Sequence, residues 1–162
     1  SEAYELMYNI YAGEGRRAEA GQVIEQALSA IPNNDGMQVL KADHLIAEGK
    51  YDDAITLYEA IRTRRPNDLI VANNLASLLS ERDDAESQKR AVEVAAPLKG
   101  AENAFFLDTY GWAAWRAGDK AAGLAALEKA AAGAPGVADI RFHYGVALIE
   151  SGEVERGRKE LE

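Results

Sequence analysis

The stretch LDTYGWAAWRAGD, residues 107–119, gathers the side chains best suited to holding another molecule: the chain's only two tryptophans, Trp112 and Trp115, together with Asp108, Thr109 and Arg116. A spacing of three puts both indoles on one helix face, one turn apart. Indoles bury apolar side chains and act as anchors in recognition, so the chemistry suggested is binding. The competing reading is packing, because an apolar stripe at helical spacing also builds cores, and Asp108 can cap or pair locally. Gly111, just before the first indole, demands its own explanation, since glycine inside a helical run costs about 1 kcal/mol against alanine.

Catalytic readings find little support. The two histidines, His44 and His143, lie far apart and no HExxH motif is present, so neither a metal site nor an acid–base pair has the required spacing. His44 reads as a packed helix residue. The absence of cysteine excludes disulfides, thiolate metal sites and a thiol nucleophile. GEGRRA at 13–18 has a glycine-rich look, but it follows a helical pattern rather than a strand and lacks the third glycine of a phosphate loop; it reads as a turn. Asp52-Asp53 and Asp83-Asp84 sit at or near expected helix starts, where carboxylates oppose the helix dipole favourably. The expectation is a chain with no enzymatic activity, no cofactor and no metal.

The 162 residues carry a net charge of −9. Divided after residues 34, 68, 103 and 137, the pieces carry −3, −2, −2, 0 and −2. No basic block exists to meet nucleic acid or an anionic membrane. No run reaches the apolar length of a membrane span, and the start lacks the basic and apolar regions of a signal peptide. The chain begins without methionine and inside a helical pattern, and reads as a piece of a longer or processed protein.

These elements repeat. Gly15, Gly49, Gly118 and Gly152 are separated by 34, 69 and 34 residues, and Pro32, Pro66 and Pro135 by 34 and 69. A 34-residue period that skips one beat is the mark of stacked helix–turn–helix units. The segments are 1–34, 35–68, 69–103, 104–137 and a partial 138–162. Each opens with a helical pattern, breaks at a turn such as GKYDDA or AGDKAA, continues as a second helix and stops near Pro or Gly.

The pattern resembles the tetratricopeptide repeat (TPR) family along the whole chain. Tyr4, Met7, Tyr8, Tyr11, Ala20, Ile24, Ala27 and Pro32 fit it in the first segment. In the fourth, Leu107, Tyr110, Gly111, Ala114, Gly123, Leu127, Ala130 and Pro135 do so, and in the fifth Tyr144, Gly145, Leu148, Gly157 and Leu161. The resemblance implies one all-α domain over 1–162, a right-handed α-solenoid of four complete hairpins and a partial fifth. The eighth position reads Tyr8, Ala42, Ala76, Gly111 and Gly145, mostly small because the second helix crosses closest there, which accounts for Gly111. Two segments depart from the pattern. The second has Gln38 and Lys41 where the family buries apolar residues; the third lacks the turn glycine in ERDDAESQK, and its second helix is expected over about 89–98, ending close to Pro97.

In this family the first helices line a concave groove through their second, fifth, sixth, ninth, twelfth and thirteenth positions. Carried onto this chain, those positions point to Glu5 and Asn9; to Val39, Leu40 and Asp43; to Asn73, Asn74 and Ser77; to Phe105, Asp108, Thr109, Trp112, Trp115 and Arg116; and to Phe142, His143, Val146 and Glu150. The wall is rich in amides at its middle and aromatic toward the C-terminal end. Asn side chains satisfy peptide N–H and C=O groups, and aromatic rings bury side chains, so an extended peptide is the implied ligand; a solvated face is the alternative for Asn73 and Asn74. A carboxylate-clamp subclass is disfavoured, because Glu5, Val39 and Asp108 stand where it needs lysine. Segments two to five are also similar to bacterial TPR proteins, including lipoproteins of exosortase and exopolysaccharide systems, which implies an envelope setting. The expected function is a non-catalytic scaffold that binds a peptide or protein segment. The alternatives are a spacer or weakly self-associating oligomer, and the recruiting arm of a larger enzyme.

Overall fold

Four of the hairpin turns need a residue in the left-handed region, and glycine supplies it: Gly15, Gly49, Gly118 and Gly152 have φ of 73°, 75°, 96° and 96°. The computed structural model describes residues 2–162. Its α-helices are α1 (Glu2–Gly13), α2 (Arg17–Ala30), α3 (Asp35–Ala47), α4 (Tyr51–Arg64), α5 (Leu69–Ser80), α6 (Ala85–Ala95), α7 (Ala104–Arg116), α8 (Lys120–Gly133), α9 (Ala138–Glu150) and α10 (Val154–Leu161). The fold is all-α, built of helix–turn–helix hairpins of the α-solenoid class, and no strand occurs among the described residues.

Side-chain caps fix several helix starts. Asn34 accepts from the Met37 N–H at 3.0 Å, Asp68 from Ile70 and Val71, Asn103 from Phe105, and Asp119 from Ala122 at 3.1 Å. The third hairpin corrects the sequence reading. Its second helix starts at Ala85, not near 89, because the Asp84 carboxylate accepts from the Ser87 N–H at 2.8 Å and opens the helix without a turn glycine. That helix ends at Ala95 and passes into a single 3₁₀ turn, Ala96–Leu98, where Pro97 removes no helical hydrogen bond.

The chain divides into two compact units, residues 1–66 and 67–162. In the first, α1 pairs with α2 and α3 with α4, and α2 packs on α3. Its core joins Ile24, Ala27 and Met37, with Tyr4, Tyr8, Leu28 and Leu40 against them. The polar departures at Gln38 and Lys41 are met at the surface. Lys41 Nζ reaches Glu25 at 2.8 Å, while the Gln38 amide donates to the Pro32 carbonyl at 2.9 Å and accepts from Arg64.

In the second unit the hairpins α5/α6, α7/α8 and α9/α10 follow one another, with α7 against both α5 and α9. Its core holds Trp112, Trp115, Leu127, Ile140, Tyr144 and Leu148. Two glycine pairs bring the hairpin helices together. A Cβ on Gly123 would lie 2.7 Å from the Trp115 nitrogen and 2.9 Å from the Gly111 carbonyl oxygen, and one on Gly157 would lie 2.6 Å from the Gly145 carbonyl oxygen. Gly111 therefore stands where two backbones meet, and closer packing offsets its poor helix propensity. No helix among the described residues is long and apolar enough to cross a membrane.

Candidate functional site

In the 67–162 unit, the segment that follows α5 and the neighbouring faces of the first helices α7 and α9 surround a cavity of about 550 Å³. Its lining comes from Glu81 and Asp83 beyond α5, from Trp112, Trp115 and Arg116 of α7, from Lys120 at the start of α8, and from Phe142, Val146 and Glu150 of α9. A second cavity of about 310 Å³, lined by Trp115, Lys120, Ala121, Leu124, Glu150 and Ser151, shares three residues with the first.

Both indoles line this cavity but are largely buried beside it. Trp112 is 7% exposed and Trp115 2%. The His143 ring stacks on Trp112 with centroids 4.5 Å apart and planes 14° from parallel. A buried indole N–H needs an acceptor, and here both find carboxylates of adjacent hairpins: Trp112 Nε1 donates to Glu81 Oε1 at 2.8 Å, and Trp115 Nε1 to Glu150 Oε2 at 2.9 Å. Cations lie over the ring faces, Lys120 Nζ 3.9 Å from the Trp115 centroid and Arg116 Cζ 5.8 Å from that of Trp112. Arg116 also pairs with Asp83 at 2.7 Å, and Lys120 with Glu150 at 3.4 Å.

The structure sorts the other expected residues by exposure. Asp108 and Thr109, expected on the open face, are buried, at 7% and 8% exposure. Asp108 pairs across hairpins rather than locally: its carboxylate lies 2.9 Å from His143 Nδ1 and fixes the ring that covers Trp112. Phe105 and Phe142 are about half exposed and Ser77 is exposed. On α5, Asn73 Nδ2 donates to Asn74 Oδ1 at 3.1 Å, while Asn73 Oδ1 is buried without a hydrogen-bond partner among the described residues. In the 1–66 unit, Asn9 is exposed on α1, and Asp43 accepts from the Tyr58 hydroxyl at 2.5 Å. Burial, then the charge of Asp43, holds the nearby Tyr8 hydroxyl above the usual tyrosine pKa.

Asp108, Trp112, Trp115, Arg116, Phe142 and His143 thus form one connected cluster. Sequence reasoning missed Glu81 and Lys120 as members. The signal for Glu81 lay in the thirteenth position of each segment, which reads Glu81, Arg116 and Glu150 through the last three hairpins. Lys120 lies past the turn, at the start of the second helix and outside the first-helix positions of the expected wall. No group of three or more histidine or acidic side chains among the described residues is placed to hold a metal ion.

Two sequence-family profiles, each described as tetratricopeptide repeat, match residues 11–86 and 111–162. Curated protein sequences give no match. Solved structures give many. MamA, residue 41 to the end, from Desulfovibrio magneticus RS-1 is similar with a TM-score of 0.79 at 17% identity, over 98% of this chain and 89% of that one. A thermophilic TPR protein of Thermus thermophilus gives 0.76 at 19%, over 96% and 84%. PilW, described as a widely conserved type IV pilus biogenesis factor, gives 0.84 at 15%, over 99% and 75%. At these identities the likeness is one of fold.

Proposed function

The chain belongs to the tetratricopeptide repeat family, whose members are typically non-catalytic protein-interaction scaffolds, and from that premise we propose that its 67–162 unit holds a peptide or protein segment along the face made by α5, α7 and α9. The observation that carries this reading is the cavity of about 550 Å³ walled by three successive hairpins. It combines a rigid floor, where both indole N–H groups are tied down, with a half-exposed Phe142 at its wall. A preformed, partly apolar concavity with a few fixed polar groups is the usual form of a recognition site. Phe142 and Phe105 serve as apolar anchors, Arg116 and Ser77 as polar contacts, and Asp108 and His143 as supports beneath. Asn73 and Asn74 extend the contact surface along α5, and Asn9 and Asp43 are contact residues of the 1–66 unit considered by itself. A bacterial envelope system is the setting we favour, on the resemblance of the repeats to envelope lipoproteins and on the fold shared with PilW.

Peptides selected from a random display library against the whole chain provide the test. The Phe142→Ala variant is expected to lose roughly tenfold in affinity for them, the effect of removing one aromatic anchor, as read by calorimetry. Selected peptides that bind Phe142→Ala and Arg116→Ala as tightly as the parent chain would refute the assignment.

A further inference from the structure

We propose that the Trp115 side of this groove is a receptor for a cationic side chain, arginine or lysine, carried by a basic peptide, and that Lys120 occupies the receptor in the free protein. The inference rests on the groove reading above and specifies its ligand class. A cation is held well where an aromatic face and a carboxylate converge, and Trp115 supplies that geometry with the chain's own lysine in place. Lys120 Nζ lies 3.9 Å from the ring centroid and 3.4 Å from Glu150 Oε2. The same oxygen accepts the Trp115 N–H at 2.9 Å, so the carboxylate is fixed relative to the ring before any ligand arrives.

The occupant is replaceable. Lys120 opens α8 directly after the turn, its side chain is about half exposed at 54%, and its ammonium sits on a flexible stem. It also stands between the two cavities, which share Trp115, Lys120 and Glu150. Swinging Lys120 into solvent joins them, and Ala121 and Leu124 then offer an apolar wall to the stem of an incoming arginine or lysine.

A second, weaker station repeats the plan at Trp112. Arg116 lies over the ring, and Glu81 takes the ring N–H with no cation in salt-bridge contact among the described residues. The lining carries Glu81, Asp83 and Glu150 against Arg116 and Lys120, within a chain of net charge −9. This sign favours a basic segment and disfavours an acidic one or a C-terminal carboxylate.

Both tryptophans of the chain line the site, so indole emission reads occupancy directly. The probes are three capped pentapeptides of one length, in which leucine alternates with arginine, glutamine or glutamate. The arginine peptide is expected to bind tightest. Lys120→Ala should raise its affinity about two- to fivefold, the scale of one cation–π contact, and Glu150→Gln, which keeps an acceptor for the indole, should lower it. Lys129→Ala removes the same charge from an exposed position of α8 outside both cavities and should leave affinity near the parent value. An equal gain in Lys120→Ala and Lys129→Ala would reduce the effect to net charge and overturn the proposal. Equal binding of all three peptides, weakened alike by Phe142→Ala, would overturn it while leaving the groove reading in place. If no probe binds, the proposal falls, and the groove is judged by the library experiment, which presumes no ligand charge.

Discussion

Single side chains in the 67–162 unit serve two neighbours at once. Glu150 ties both an indole and a lysine of the preceding hairpin, and Asp108 holds the imidazole that covers Trp112. The spacing of the two tryptophans was enough to place them on one face. It was silent on what covers that face, because the covering ring, His143, arrives from a helix about one repeat later and only the register between hairpins brings it there. The alternation of glutamate, arginine and glutamate at the thirteenth position was equally visible, yet its meaning depends on which indole edge each carboxylate reaches. Tyr144 gives the test suited to this scale. Burial, then the charge of Glu128, raises its hydroxyl pKa despite Arg156 nearby, so the fold favours the neutral phenol. The resulting stabilisation is complete below the ordinary tyrosine value of about 10 and is lost as pH climbs through the raised value. Denaturant melts at increasing pH should show this alkaline loss in the parent chain and a smaller one in Tyr144→Phe.

Helices and turns were the most legible level. The glycines spaced by one or two periods all take positive φ at hairpin turns, since the need for a left-handed residue recurs with the turn itself. The second helix of the third hairpin starts earlier than its spacing implies because an aspartate cap, Asp84 on Ser87, opens it without a turn glycine, and a cap leaves a fainter trace than a periodic glycine. Inside the helices, glycine has a different cause. A Cβ on Gly123 would meet backbone atoms of Trp115 and Gly111, which cannot swing aside. Gly123→Ala is therefore expected to destabilise by about 1–3 kcal/mol, the cost of overpacking. Gly13→Ala, where a Cβ meets nothing within 4 Å, should be neutral or stabilising by up to about 1 kcal/mol through a less flexible unfolded chain. Urea unfolding of the two variants side by side separates close approach from helix propensity.

At the scale of the whole molecule, the repeat period foretold a succession of hairpins but not the division into compact units at residues 1–66 and 67–162, which follows from contacts rather than from spacing. The later unit has a core of its own, from Leu75, Leu79 and Leu98 to Leu127, Ile140 and Leu148. Residues 67–162 produced alone are expected to keep their helical circular dichroism and the blue-shifted emission of buried indoles; a red-shifted spectrum would show that the unit needs residues 1–66 to fold. Within that unit the labour is divided by depth. The indole–carboxylate ties belong to both the fold and the site, so Glu81 and Glu150 are poor places for a lineage to experiment. Lys120 and Phe142, each about half exposed, lie outside those ties. On the proposed reading, a protein made this way acquires new clients by changing its outer residues while its framework is inherited intact.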